Sequence, residues 1–200
     1  MKIFVTGGMG SGKSTLIDYL RGKGAGIVYA DEVGHDNLLR PDCKKGLVEA
    51  FGKDILGPDG EVNRAILAAK AFSSPDATSL LDSITQPILY EECLRRVVAC
   101  EKERGVAVLE MAILDGRDDF YKKADIVVCV TTSPETRIAR LMAYRGISEK
   151  DARSRIARQV PEEKRLAISD YVLTNDGTLE EFKSQIDAWW RVIDGSSRIA

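Results

Sequence analysis

The feature that most constrains this chain is a glycine-rich loop close to its start. Residues 7–15 have the sequence GGMGSGKST, which follows the β-branched and aromatic segment 2–6 and precedes residues 16–20, whose apolar positions have helical spacing. Strand, loop and helix therefore occur in the order that a phosphate-binding loop requires. This order predicts an α/β fold that begins with a buried strand.

Each residue type in this loop has a chemical role in binding phosphate. Glycines let successive backbone N–H groups turn inward around an anion, and the helix that starts near Lys13 directs its positive end toward the same point. The Lys13 ammonium can reach the β- and γ-phosphates, and the Ser14 hydroxyl can ligate Mg²⁺. We predict an ATP-dependent phosphotransferase with the nucleotide-binding residues Gly7, Gly8, Gly10, Ser11, Gly12, Lys13, Ser14 and Thr15. The alternative is a glycine-rich turn that only joins the strand to the helix.

Composition and charge limit the partners of this chain. Its 200 residues are 44% hydrophobic, which suffices for the core of one domain. The 29 basic and 31 acidic side chains give a formal net charge of −2, so we expect no nucleic acid partner. No leader sequence precedes the first strand and no apolar segment is long enough to span a bilayer, which predicts a cytoplasmic protein without a membrane partner.

The cysteines and histidines argue against a zinc site. The four cysteines lack CxxC spacing, and the chain has a single histidine. We therefore expect reduced, partly buried thiols. The expected metal is the Mg²⁺ that accompanies the nucleotide.

Apolar segments predict four further strands of a parallel sheet. They cover residues 26–30, 106–110, 125–130 and 171–173. Residues 37–104 have helical character, with turn sequences at 56–60 and 73–75, and could shape a substrate pocket. Residues 148–165 are dense in charge and fit either a lid over the nucleotide or a solvated surface. The predicted architecture is a five-stranded parallel sheet interleaved with helices.

Helix-capping sequences mark several predicted helix starts. They are Ser74 before Pro75, Ser133 before Pro134, and the capping box formed by Thr178 and Glu181. In the last helix, apolar residues at three- and four-residue spacing predict a core-facing stripe of Leu179, Phe182, Ile186, Trp189 and Ile193. Helices are thus expected between and after the strands.

Asp31 is the leading candidate for a catalytic carboxylate. It follows the second predicted strand, and ligands bind outside the carboxyl ends of parallel strands. Asp31 could orient an acceptor hydroxyl and take its proton, or it could cap a helix. His35, one turn further, is more typical of a structural histidine than of a base. Glu110 ends the third strand and could support Mg²⁺ through water or only terminate the strand.

Arginines on a predicted helix that begins at Pro134 could supply positive charge to a migrating phosphoryl group. Arg137 and Arg140 share a helix face by their spacing, and Arg145 lies near the helix end before Gly146. A guanidinium can bind phosphate through two hydrogen bonds. The alternative for these residues is a solvated basic face.

Beyond the loop, the sequence resembles the dephospho-coenzyme A kinase family over almost the whole chain. The resemblance starts with TGGMGSGKST at residues 6–15 and with Ala30-Asp31-Glu32. It continues through Phe51-Gly52, Asp59-Gly60, Asn63-Arg64, Arg140, Arg145, Gln159 and the sequence NDGTLE at residues 175–180. These motifs together are far more specific than the loop alone.

The resemblance implies transfer of the ATP γ-phosphate to the ribose 3′-hydroxyl of dephospho-coenzyme A, the last step of coenzyme A biosynthesis. It also implies a P-loop kinase-like three-layer α/β/α fold, with a helical substrate-binding part at about residues 37–104 and a lid at about 140–165. On this resemblance, Asp31 handles the proton of the acceptor hydroxyl, Arg140 and Arg145 contact phosphate, and Asn175 lies near the adenine. The expected catalytic residues are Asp31, Lys13 and Arg140.

Two other classes of P-loop protein remain as alternatives. Kinases of shikimate, gluconate or nucleoside monophosphates share the loop and a lid, although Ala30-Asp31-Glu32 favours dephospho-coenzyme A. A regulatory GTPase fits less well, because residues 31–34 give only a superficial DxxG match and the chain has no Asn-Lys-x-Asp sequence. For the oligomeric state we expect a monomer or a weak homo-oligomer.

Overall fold

The fold alternates strands and helices, as a computed structural model of residues 1–116 and 119–197 describes it. Its strands are β1 Lys2–Gly7, β2 Gly26–Tyr29, β3 Ala107–Glu110, β4 Ile126–Thr131 and β5 Tyr171–Thr174. Its helices are α1 Lys13–Gly22, α2 Ala30–Asn37, α3 Pro41–Phe51, α4 Arg64–Ala71, α5 Pro75–Arg104, α6 Pro134–Arg145, α7 Glu149–Ala157, α8 Glu162–Ala167 and α9 Leu179–Ser197. The predicted strands are all present, close to their expected bounds.

The five strands form one sheet with the order β2-β3-β1-β4-β5. Strand β1 pairs in parallel with β3 and with β4, and β5 pairs in parallel with β4. The consecutive residues Ile3, Phe4 and Val5 of β1 are fully buried. Because successive side chains point to opposite faces, this burial requires cover on both faces of the sheet. The predicted α/β fold with a five-stranded parallel sheet is confirmed.

The topology places the glycine-rich loop where such sheets bind ligands. Strand β1 lies between β3 and β4, so the chain leaves its carboxyl end at the point where the strand order reverses. The carboxyl ends of β3, β4 and β5 lie along the same edge because the pairings are parallel. Residues that directly follow these strands can therefore contact the loop.

The chain divides into two compact units. The first unit comprises Met1–Val28 together with the chain from Val97 onward, and it contains the glycine-rich loop. The second unit is Tyr29–Arg96 and has a core of its own, formed around Cys43, Leu47, Ile55 and Leu67. The predicted helical character of the middle segment is confirmed, with helix breaks close to residues 56–60 and 73–75.

The predicted helix caps are present. Ser74 Oγ accepts a hydrogen bond of 3.1 Å from the amide three residues on, and Ser133 Oγ accepts one of 3.3 Å in the same way. Thr178 and Glu181 exchange side-chain and backbone hydrogen bonds of 2.7 and 3.2 Å. These bonds satisfy amides that the first turn of a helix leaves without intrahelical partners.

The apolar stripe of α9 is confirmed except at its first residue. Phe182, Ile186, Trp189 and Ile193 are buried, whereas Leu179 is 49% exposed. Leu179 is the first residue of α9 and lines an open groove beside α1 instead of the core. Neither α9 nor another helix within residues 1–116 and 119–197 is long and apolar enough to cross a membrane.

The charged segment 148–165 is more than a solvated surface. It contains α7 and the first four residues of α8, and its residues Ala152 and Arg165 are 0% and 1% exposed. Ala152 packs with Ile138 and Leu141 of α6. The lid function of this segment stays a prediction.

Candidate active site

The glycine-rich loop adopts a backbone conformation that favours glycine. Gly10 and Gly12 have φ values of 79° and 101°, which strain residues with a Cβ atom. A Cβ atom at Gly12 would lie 2.1 Å from Asn175 Nδ2, and one at Gly7 would lie 2.4 Å from the carbonyl oxygen of Val130. Glycine at these positions lets the loop approach the carboxyl ends of β4 and β5.

The start of α1 offers backbone donors to an anion. Gly12 is the N-cap residue and lacks a side chain that could accept hydrogen bonds from the first turn. The first N–H groups of a helix have no intrahelical partners, and the helix dipole makes this end positive. Ser14 is exposed beside these amides, and Thr15 borders the open groove between α1 and α9. This geometry suits a phosphate group.

The Lys13 side chain folds back over the loop. Its Nζ donates to the carbonyl oxygens of Gly7 and Gly8 at 3.0 and 3.4 Å. Glu110 at the end of β3 forms an ion pair with Lys13 Nζ at 3.4 Å, and both side chains are less than a fifth exposed. The ammonium therefore already lies at the loop, with Glu110 as its counter-charge.

Thr132 and Asn175, which directly follow β4 and β5, hold the loop. Asn175 Nδ2 donates to the Ser11 carbonyl oxygen at 2.8 Å. Thr132 Oγ1 lies 3.0 Å from the same oxygen and 3.1 Å from the Asn175 carbonyl oxygen, and its one proton can serve one of them at a time. Both residues are at most 5% exposed. The Asn175 amide predicted to lie near the adenine is thus a buried support of the loop.

Two arginines of α6 contact the loop backbone. Arg137 Nε donates to the Met9 carbonyl oxygen at 2.9 Å, and its Nη2 donates to Gln159 Oε1. Gln159 Oε1 also accepts from the Met9 amide at 3.0 Å. Arg140 donates to the Gly10 carbonyl oxygen at 3.4 Å and to Asn175 Oδ1 at 3.3 Å.

The arginines of α6 lie where their spacing predicts. Arg137 and Arg140 lie three residues apart and face the loop, as their spacing predicts. Arg145 is exposed in the last turn of the same helix, before the left-handed Gly146. Five residues of separation turn Arg145 away from the face that carries Arg140.

Two buried guanidinium groups, Arg137 at the loop and Arg165 on α8, have neutral hydrogen-bond partners. Arg137 and Arg165 are 5% and 1% exposed, and burial lowers the pKa of each guanidinium. The charge of Arg165 lowers the pKa of Arg137 further, whereas Glu162 acts in the opposite direction. Arg165 donates to the Val160 carbonyl oxygen, a neutral acceptor. An arginine stays protonated under these conditions, so the region favours an anion.

Asp31 lies in the second unit, on the first turn of α2. The N-cap residue of this helix is Tyr29, so the structure excludes the N-cap role that the sequence left open for Asp31. Asp31 is exposed, and its carboxylate is available to solvent. The position of Asp31 relative to a bound nucleotide stays a prediction.

Comparison with protein families identifies the kind of kinase. A family model described as dephospho-CoA kinase matches residues 1–181. The chain belongs to the dephospho-CoA kinase family. It is 46% identical over 188 residues to the dephospho-CoA kinase of Corynebacterium glutamicum, an alignment that covers 92% of this chain and 93% of that protein. The resemblance noted in the sequence, and the enzyme class that it implies, are confirmed.

Solved structures show how widely the fold of this dephospho-CoA kinase family member is shared. A dephospho-CoA kinase from Campylobacter jejuni has a TM-score of 0.70 at 22% identity and covers 98% of this chain and 100% of that chain. A shikimate kinase from Acinetobacter baumannii, in complex with shikimate, has a TM-score of 0.57 at 13% identity and covers 98% and 93%. At these identities the likeness shows the P-loop kinase-like fold alone. The fold is thus shared by kinases of different acceptors.

Sequence reasoning gave too little weight to some residues around the loop of this family member. Thr132 directly follows β4, and that position at the carboxyl edge of the sheet was a usable signal. Gln159 and Arg137 contact Met9 from 150 and 128 residues away, a distance at which no local pattern operates. Arg165 lies among exposed charged residues in sequence, so its burial has no sequence signature.

Proposed function

We propose that this member of the dephospho-CoA kinase family transfers the γ-phosphate of ATP to the ribose 3′-hydroxyl of dephospho-coenzyme A. The observation that carries the proposal is the family match over residues 1–181, which spans both the glycine-rich loop and Asp31. The fold alone would not select this acceptor. The contacts of the loop and the exposed Asp31 carboxylate support the chemistry.

The proposed donor site is the glycine-rich loop. ATP phosphates would bind the uncapped first turn of α1 and the Lys13 ammonium. Lys13 donates to backbone carbonyl oxygens, and charged phosphate oxygens are stronger acceptors than those. We also propose that Arg145 contacts the nucleotide phosphates, and that Asn175 lies near the adenine while its side chain holds the loop. The remaining proposed nucleotide contacts are Gly7, Gly8, Gly10, Ser11, Gly12, Ser14 and Thr15.

Oxygen donors near the loop fit Mg²⁺. This cation prefers a few protein oxygens and keeps waters and substrate phosphates as its other ligands. We assign the Ser14 hydroxyl to it, because Ser14 is exposed at the start of α1. The Glu110 carboxylate, paired with Lys13, is a further oxygen donor beside the loop. When bound with the nucleotide, Mg²⁺ neutralises charge on the β- and γ-phosphates.

The transfer step needs a positioned acceptor and compensation of charge. The acceptor oxygen attacks the γ-phosphorus while the bond to the β-phosphate oxygen breaks, which leaves ADP. Asp31 is proposed to orient the hydroxyl and accept its proton. Lys13 and Arg140 are proposed to stabilise negative charge on the migrating phosphoryl group. The hydrogen bonds of Arg140 to the Gly10 carbonyl and to Asn175 support this role, because they hold its guanidinium at the loop.

Two segments complete the proposed kinase domain. Residues 37–104 would bind the acceptor, and residues 140–165 would act as a lid that excludes water from the reaction. The hydrogen bond that Gln159 Oε1 accepts from the Met9 amide supports the lid, since it connects this segment to the loop.

An acceptor panel with ATP and Mg²⁺ tests the proposed function. Purified protein would be offered dephospho-coenzyme A, shikimate, gluconate and nucleoside monophosphates, with the Lys13→Ala variant as the control for the donor site. We expect strong transfer to dephospho-coenzyme A alone and its loss in the variant. Transfer to another acceptor with none to dephospho-coenzyme A would overturn the proposal.

A further inference from the structure

An arginine and the single histidine of the chain form a hydrogen-bonded pair in the second unit. Arg64 Nη2 lies 2.7 Å from His35 Nε2, and both residues are exposed. A guanidinium only donates hydrogen bonds, so His35 Nε2 must accept this one. In this pair the imidazole therefore has its lone pair on Nε2 and its N–H on Nδ1. It orients Arg64 without cancelling the positive charge.

This partner distinguishes Arg64 from the other arginines of the second unit, whose residues 29–96 are all described. A carboxylate neutralises each of the others: Arg40 pairs with Asp42, and Arg95 and Arg96 pair with Glu92. Within this unit, no carboxylate forms an ion pair with Arg64. Its charge and its remaining N–H groups are available to an anion.

The start of α4 fixes where the Arg64 side chain leaves the backbone. Asn63 is the N-cap residue, and its Oδ1 accepts hydrogen bonds of 3.1 and 3.2 Å from the next two amides after Arg64. Arg64 is the first helical residue, close to the positive end of the helix dipole. The backbone and His35 together preorganise the guanidinium.

The pair lies one helical turn from the carboxylate proposed to meet the acceptor hydroxyl. Asp31 and His35 are four residues apart on α2, which places them on one face with a rise of about 6 Å between them. One face of α2 thus presents a carboxylate and, one turn on, a guanidinium held by an imidazole. A ligand whose hydroxyl and anionic group have such a separation can bind the Asp31 carboxylate with the hydroxyl and the Arg64 guanidinium with the anionic group.

We infer that Arg64, with His35 as its positioning residue, binds a phosphate group of the acceptor. The inference rests on the proposed function, because it takes dephospho-coenzyme A as the acceptor. In that molecule the ribose that carries the 3′-hydroxyl also carries a diphosphate on its 5′-carbon. When the hydroxyl meets Asp31, the diphosphate lies one ribose away, and Arg64 can bind it through two parallel hydrogen bonds.

Steady-state kinetics with saturating ATP test this assignment. Arg64→Gln should raise the KM for dephospho-coenzyme A about 10- to 100-fold, the effect of losing hydrogen bonds to a charged group. The kcat should change much less, and the Kd for ATP should not change. His35→Glu should also raise this KM, because its carboxylate would neutralise Arg64. His35→Gln should stay near the wild type, since an amide oxygen can accept the same bond.

Controls separate this inference from its alternatives. Arg95→Gln removes an exposed arginine that is already paired with Glu92, and it should leave the KM unchanged. His35→Glu keeps Arg64 in place and therefore tests the charge if Arg64→Gln fails to fold. A KM within twofold of the wild type in Arg64→Gln or His35→Glu would overturn the inference. A wild-type protein inactive on dephospho-coenzyme A would instead overturn the proposed function.

Discussion

Asp31 and Lys13 have separate duties in the proposed reaction, and single substitutions can distinguish them. Lys13 lies in the phosphate loop with its ammonium on the carbonyl oxygens of Gly7 and Gly8. Asp31 is exposed on the first turn of α2 and does not occupy the N-cap position. Substitution of Lys13 should therefore impair the use of nucleotide, and substitution of Asp31 should affect only transfer to the acceptor.

Asp31→Asn should lower kcat for transfer to dephospho-coenzyme A by about 100- to 10,000-fold, the usual contribution of a general base. The Kd for ATP should stay within about twofold of the wild type, because the amide keeps the shape of the carboxyl group. Single-turnover transfer and calorimetric titration with ATP measure the two quantities. Glu32→Gln, which alters a neighbouring exposed acid on the same turn, is the matched control. Near-normal turnover in Asp31→Asn would remove the catalytic assignment.

Residues whose role comes from local geometry could be predicted from the sequence. Gly10 and Gly12 form the turn of the loop, and Lys13 is the first residue of α1. A strand–loop–helix pattern in the sequence is enough to predict both features. Arg137 was assigned only a general basic role, because its contact with Met9 spans 128 residues. The same limit applies to Asn175, whose buried amide supports Ser11.

At the scale of elements, an ion-pair network joins α2 to α5 within the second unit. Arg96 forms two ion pairs, one from Nη2 to Asp36 Oδ2 of α2 at 2.8 Å and one from Nε to Glu92 Oε1 of α5 at 2.8 Å. Arg95 bonds the same Glu92 at 2.6 Å. Hydrogen bonds from Arg95 and then Arg96 lower the pKa of Glu92 from 4.5 to about 2, against the opposing effect of burial. The network helps to fix α2, the helix that carries Asp31 and His35.

Glu92→Gln should destabilise the protein by about 1 kcal/mol at pH 7, since most of this network is near solvent. A carboxyl group with a lowered folded-state pKa stabilises the fold above its unfolded value of 4.5 and loses that contribution as the pH falls toward 2. The difference from the wild type should therefore shrink between pH 4.5 and 2. Urea unfolding at several pH values measures it.

A matched variant on the same helix controls for loss of charge alone. Glu103 is 72% exposed and lies 3.7 Å from Arg104, so Glu103→Gln should have little effect at either pH. An equal destabilisation by Glu92→Gln at pH 7 and at pH 3 would contradict the assigned cause of the pKa shift.

Helix starts could be predicted better than the packing of helix faces. The capping box of Thr178 and Glu181 is a contact between residues three positions apart, so its sequence spacing is sufficient. Leu179 fits the apolar period of α9 but lines a groove beside α1 instead of the core. Periodicity identifies a face, and the point where packing on that face ends depends on the neighbouring helix.

At the scale of the whole molecule, the strands could be predicted but their order could not. Continuous apolar segments such as β4 reflect burial on both faces, which is a local property of the sequence. The order β2-β3-β1-β4-β5 depends on pairings between strands more than 100 residues apart, such as Lys2 with Ala107. The family resemblance implied a three-layer α/β/α fold and the acceptor, whereas the residues of the loop predicted only an ATP-dependent phosphotransferase.

The position of the transferred phosphate tests the central claim most directly. Wild-type protein would be incubated with ATP, Mg²⁺ and dephospho-coenzyme A, and the product would be analysed by phosphorus NMR and mass spectrometry. We predict one new phosphomonoester on the ribose 3′-oxygen for each ADP formed. ADP formation without a phosphomonoester, or a phosphate on another atom of the acceptor, would contradict the account.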